Sequence, residues 1–198
     1  MLKQKLKNFN VILASGSPRR QNFFKELDLD FTIDVKEVEE IFPKDTLSGH
    51  EITDYLAKLK ASAFDHLSEN DILITSDTIV WKDGEAIGKP KDVLDAQKML
   101  LKLSDDFHEV ITSVCFTGKD FQKTVHDITK VWFKKLSKDE IDYYLQNYRP
   151  FDKAGSYGIQ EWIGYIGIER IEGCYFNVMG LPTRLVYKSL LEIAEDKS

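Results

Sequence analysis

Hydrophobic and polar positions along the chain divide it into short buried-type strands and amphipathic helices. Asn10-Val-Ile-Leu-Ala14 reads as a buried strand, and Phe31 to Val35 as a second. Between them, Ser17-Pro18 marks a helix start, because serine caps helix N-termini and proline suits the first helical position. Phe23, Phe24 and Leu27 give that helix an apolar face. Ile52, Tyr55, Leu56, Leu59, Ala63, Phe64 and Leu67 recur at helical spacing and predict one long helix. Asp71 to Thr75 is strand-like, and Ile79 to Trp81 and Glu85 to Gly88 flank Lys82-Asp-Gly84, a hairpin signal.

Val93 to Leu103 reads as a helix, and Phe107 to Thr117 and Phe121 to Phe133 as two strands around Gly118-Lys-Asp120. The second alternates as a half-exposed antiparallel strand does. Lys138 to Gln146, capped by Ser137, is helical. Gly164 to Gly173 is expected to be extended, and Leu181 to Ala194 to close the chain as a helix. Helices interspersed with strands and hairpins predict an α/β fold with a mixed sheet.

Bulk properties narrow the classes open to it. A length of 198 residues suits one domain or two closely joined lobes. The net charge of −6 argues against a nucleic-acid or anionic-membrane partner, both of which call for a basic face. A small phosphate ligand needs only a few placed cations. No apolar run is long enough for a bilayer and no signal-peptide pattern is present, so the cytoplasm is the expected compartment. Cys115 and Cys174 are not clustered, and Cys115 reads as a small core residue. His50, His66, His108 and His126 show no zinc-ligand spacing along the chain.

Several stretches carry candidate chemistry. In Leu13-Ala-Ser-Gly-Ser-Pro-Arg-Arg20, a small-residue turn leads from a strand into a helix N-terminus, where backbone N–H groups favour an anion. Arg19 and Arg20 stand in the first helical turn, against the helix dipole. They either grip a bound polyphosphate or are solvated surface residues, since the dipole cost is below roughly 1 kcal/mol. Asp77, in Ser76-Asp-Thr-Ile-Val80, is expected at the end of a buried strand, as a metal ligand or water-orienting acid or else as a turn residue. Glu39 and Glu40 lie in an acidic loop. Lys89, before Pro90, is held extended and out of the next helix. Lys60 could likewise reach a phosphate, although a lysine so placed is usually a snorkelling surface residue. Lys153, Tyr157 and Gln160 lie in a glycine-bearing loop, and Gln160 can both donate to and accept from the Watson–Crick edge of uracil or thymine.

Taken in order, the segments LASGSPRR, LAKLKASA, SDTIV, GKP, DKAGSYGIQ and NVMGLP resemble the Maf family of nucleotide pyrophosphatases, from Leu13 to Pro182. The resemblance implies hydrolysis of a nucleoside triphosphate between the α and β phosphates, with a divalent cation (Mg2+, Mn2+ or Co2+). By motif position Asp77 would be the proton acceptor and a metal contact, with Glu40 helping to hold the metal. Ser15, Arg19, Arg20, Lys60 and Lys89 would hold the polyphosphate, Lys60 and Lys89 acting in catalysis. Gln160, with Arg20 and Thr78, points to the branch acting on dTTP and UTP, whereas the 7-methylguanosine triphosphate branch has an acidic residue at the Gln160 position. Lys153 would bind substrate from the same loop.

The family implies two lobes of one domain spanning residues 1–198, around a cleft with a twisted mixed sheet, and a homodimer. Glu161-Trp162 and Cys174 depart from the family pattern, and Glu161 adds negative charge beside the expected base pocket. A non-catalytic nucleotide-binding regulator of septum formation would lack the acid. The inosine triphosphatase type would lack Ser-Pro-Arg-Arg and Gly-Ile-Gln.

Overall fold

The computed structural model describes residues 1–196. Its elements, in order, are α1 (Leu2–Lys5), β1 (Asn10–Leu13), α2 (Pro18–Glu26), β2 (Thr32–Ile33), α3 (His50–Ala61), β3 (Asp71–Lys82), β4 (Glu85–Ile87) and α4 (Val93–Leu103). There follow β5 (Phe107–Gly118), β6 (Phe121–Phe133), α5 (Lys138–Tyr148), a 3-10 turn (Ala154–Ser156), α6 (Trp162–Gly167), β7 (Ile168–Glu172), α7 (Tyr175–Val178) and α8 (Thr183–Asp196).

The strands form one mixed, twisted sheet in the order β2-β1-β3-β5-β6-β7, with β4 paired to β3. β1 runs parallel to both β2 and β3, while β4 and β7 are antiparallel to β3 and β6. This is the expected α/β class with flanking helices. Contacts divide the chain into two compact units. Among the described residues the first comprises 1–77, 112–127 and 180–196, and the second 78–111 and 128–179.

Several local forces act as the sequence suggests. Asp83 and Gly84 both take positive φ (53° and 78°), the type I′ geometry that Asp-Gly favours between β3 and β4. Ser137 and Glu140 close a capping box at the start of α5. The first unit packs Ala57, Ala61, Leu73 and the fully buried Cys115 together, with Phe64 and Leu67 against them. The second packs a core that includes Val80, Leu100, Leu103, Phe133, Tyr144 and Ile163.

Four expectations fail for identifiable reasons. The apolar repeat through Leu67 does not stay helical. α3 stops at Ala61, where Ser62 Oγ bonds back to Leu59 O and Lys36 Nζ binds Ala63 O (both 2.8 Å). Phe64 and Leu67 reach the core from the loop beyond. The second strand shrinks to Thr32–Ile33, because short β1 offers it only Ile12 and Leu13 as partners. The stretch from Gly164 is not wholly extended. α6 forms first, Ile163 is fully buried, and β7 begins only at Ile168. A Cβ on Gly164 would lie 1.9 Å from Ile159 O, so this close backbone approach requires glycine.

The fourth concerns Asp77, which lies within β3 and not at its end. The parallel ladder from β1 stops at Leu13↔Ile74, while β3 runs on to pair with β4 from Val80. Asp77 falls between the two pairings.

Candidate active site

In the first unit, β1 hands the chain to α2 through Ser15-Gly16-Ser17. Ser15 is buried and its Oγ accepts from Ser17 N at 3.3 Å. Ser17 caps α2, its Oγ accepting from Arg20 N. Arg19 and Arg20 are both partly covered, which excludes a fully solvated pair. Arg20 is clamped by backbone: Nε donates to Gly180 O at 2.8 Å and Nη1 to Ser76 O at 3.0 Å. Its role includes tying α2 to β3 and to the turn before α8. Burial pulls its pKa down, and the nearby Asp77 carboxylate opposes that shift.

Three more groups converge beside it. Lys60 stands in the last turn of α3, where the helix dipole favours a cation. Its ammonium donates to Asp77 Oδ1 at 2.7 Å and Ser76 O at 3.4 Å, and pairs with Glu40 Oε1 at 3.0 Å. Glu40 is half exposed, whereas only 6% of Asp77 is exposed. Desolvation raises the pKa of Asp77 and Lys60 partly opposes it. A carboxyl poised in this way accepts a proton more readily than an ordinary aspartate.

Two carboxylates already share one cation, the Lys60 ammonium. Oxygen donors in this number suit Mg2+ or Mn2+, which commonly take one or two carboxylates and complete their shell with substrate phosphates and water. Glu40 and Asp77 therefore fit the ion that the resemblance implies.

In the second unit, Thr78 follows Asp77 on β3, and Lys89 is exposed between β4 and α4. Gly155 N bonds Gly88 O at 3.0 Å, fastening the Lys89 loop to the 3-10 turn. Gln160 is partly exposed just beyond that turn. Two expectations for this loop change. Tyr157 is buried and paired with His108 Nε2 at 2.7 Å, so it is a core residue and not a ligand-facing one. Glu161 is not a loose negative charge. It pairs with Lys153 at 3.1 Å and accepts a short hydrogen bond from Tyr144, whose hydroxyl in turn accepts from Gly158 N at 3.0 Å. Lys153 also pairs with Asp152. Tyr144 was not legible as a site-supporting residue, because on the sequence it is one more apolar position of α5.

A buried acid thus shares a lysine with a second carboxylate, beside an arginine-bearing helix start on a mixed α/β sheet. The Maf-like protein family model matches residues 10–193, and the chain belongs to this family. It is 65% identical over 192 residues to the dTTP/UTP pyrophosphatase of Flavobacterium psychrophilum, covering 96% of this chain and 98% of that one. It is 57% identical over 194 residues to the dTTP/UTP pyrophosphatase of Christiangramia forsetii, covering 98% of each. In fold it is similar to the Ham1 protein of Staphylococcus aureus, with a TM-score of 0.52 at 17% identity over 93% of this chain and 99% of that one.

Proposed function

We propose that the protein hydrolyses dTTP and UTP to the nucleoside monophosphate and pyrophosphate. The observation that carries this reading is Asp77, a desolvated carboxylate with a raised pKa held against Lys60. Water adds across the α–β anhydride, one P–O bond breaks, and Asp77 accepts the proton that the water gives up. Lys60, Arg19, Arg20, Lys89 and the Ser15 turn neutralise and orient the polyphosphate, which is most of what phosphoryl chemistry asks of a protein. Asp77 and Glu40 would hold a divalent cation, which supplies further positive charge against the phosphates.

Gln160 and Thr78 read the pyrimidine, and Lys153 supports binding from the same loop as Gln160. That relatives 65% and 57% identical are dTTP/UTP pyrophosphatases supports the choice of dTTP and UTP. A homodimer acting in the cytoplasm belongs to the same reading. Among the described residues no helix is long and apolar enough to cross a membrane.

The test is pyrophosphate release from a panel of triphosphates, including 7-methyl-GTP and ITP, with Mg2+, Mn2+ or Co2+. We expect dTTP and UTP to be cleaved fastest, and Asp77→Asn to lose at least about a hundredfold in kcat. Absence of cleavage, or an undiminished Asp77→Asn enzyme, overturns the reading. Gln160→Glu should erode the pyrimidine preference, and an unchanged preference removes Gln160 from the base site.

A further inference from the structure

We infer that the first unit carries a second cation site, for a divalent transition metal, built from His50, Asp54 and His126. His50 and Asp54 are one turn apart on α3, and His126 comes from β6. One potential ligand atom from each lies within 4.8 Å of those of the other two. His126 Nδ1 is 3.3 Å from Asp54 Oδ2, and the His50 and His126 rings stack with centroids 4.1 Å apart.

Three features separate this cluster from a chance surface meeting. The first is the donor set. Two imidazoles and one carboxylate suit Zn2+, Ni2+ or Co2+, whereas the all-oxygen pair Glu40 and Asp77 suits Mg2+. The second is support behind the carboxylate. Ser113 Oγ donates to Asp54 Oδ1 at 2.6 Å, and the buried Thr53 hydroxyl lies 2.6 Å from Ser113 Oγ. One oxygen of Asp54 is thereby fixed while the other faces His126, the outer-shell pattern that orients metal-ligating carboxylates. The third is access. The side chains of Asp54 and His126 are 23% and 37% exposed, which leaves a path for an ion and room for a fourth ligand from water.

Tetrahedral ligands at about 2.0–2.1 Å from zinc lie about 3.3 Å from one another. The ligand atoms here, all within 4.8 Å, need only modest rotation of two accessible histidines to close on an ion. The site would pin the first half of α3 to β6. Lys60 lies six residues beyond Asp54 on the same helix, about 9 Å along its axis. Nothing in the triphosphate chemistry requires this cluster.

Titration of the purified full chain with ZnCl2, read by calorimetry and by competition with a chromophoric chelator, tests the inference. One Zn2+ per chain should bind, weakened at least tenfold in His50→Gln and in His126→Gln, and retained in Asp77→Asn. Ser113→Ala should weaken it less than loss of a ligand does. Zinc-edge X-ray absorption on the unaltered chain, which needs no variant to fold, should show imidazole nitrogen in the shell. No stoichiometric binding, a shell without imidazole, indifference to both histidine changes, or loss in Asp77→Asn overturns the proposal.

Discussion

Lys60 Nζ donates to Asp77 Oδ1 at 2.7 Å while also pairing with Glu40 at 3.0 Å, so two carboxylates share one ammonium. Removing that charge leaves desolvation of Asp77 unopposed by its nearest cation, and its pKa rises further. Lys60→Met should therefore shift the acid limb of the kcat/KM–pH profile to higher pH. It should also lower kcat/KM at neutral pH by about a hundredfold or more, the scale of losing one placed electrostatic partner. A pH profile for pyrophosphate release from dTTP checks both effects.

Tyr144 holds the Gln160 loop from beneath, its hydroxyl bonded to Gly158 N and to Glu161. Tyr144→Phe leaves a buried N–H without its acceptor, which costs about 1–3 kcal/mol. Urea midpoints should fall accordingly. If the loop binds the base, KM should rise more than kcat falls.

Gly155 takes φ +69°, and a Cβ there would lie 2.9 Å from Val80 Cγ2. Gly155→Ala combines a left-handed backbone penalty of roughly 1–2 kcal/mol with overpacking of a similar size. Thermal melts should show a clear loss of stability. Alanine at Gly84, which also has positive φ but open space, should cost less because only the backbone term applies.

His108 is buried in the second unit, and burial lowers its pKa from 6.5 to about 3. The folded site refuses a proton that the unfolded chain accepts below about pH 6.5. The unfolded state then binds more protons, so stability present above that pH is lost as the pH falls toward 3. A single such group changes stability by at most about 1.4 kcal/mol per pH unit, or about 2 kcal/mol between pH 7 and 5. His108→Gln should lose less over that interval, and urea unfolding of both proteins at the two pH values measures the difference.

Local chemistry determined much of this protein. Ser17-Pro18, the Asp83-Gly84 turn and the Ser137 cap each act within a few residues, and each formed as the sequence alone predicts. The ordered motifs likewise singled out Arg20, Asp77, Lys60 and Glu40, which the fold brings into one cluster. Tertiary structure decided what depends on distant partners. It made Arg20 a clamp on two carbonyls as well as a cation, placed Asp77 within a strand, and turned Glu161 from a stray charge into part of a closed network. It also brought His126 to His50 and Asp54, a juxtaposition that linear histidine spacing cannot show. The physical reason is common to these cases. Caps and turns are settled by near neighbours in the chain, whereas desolvation and pairing of charge depend on side chains brought together from remote segments.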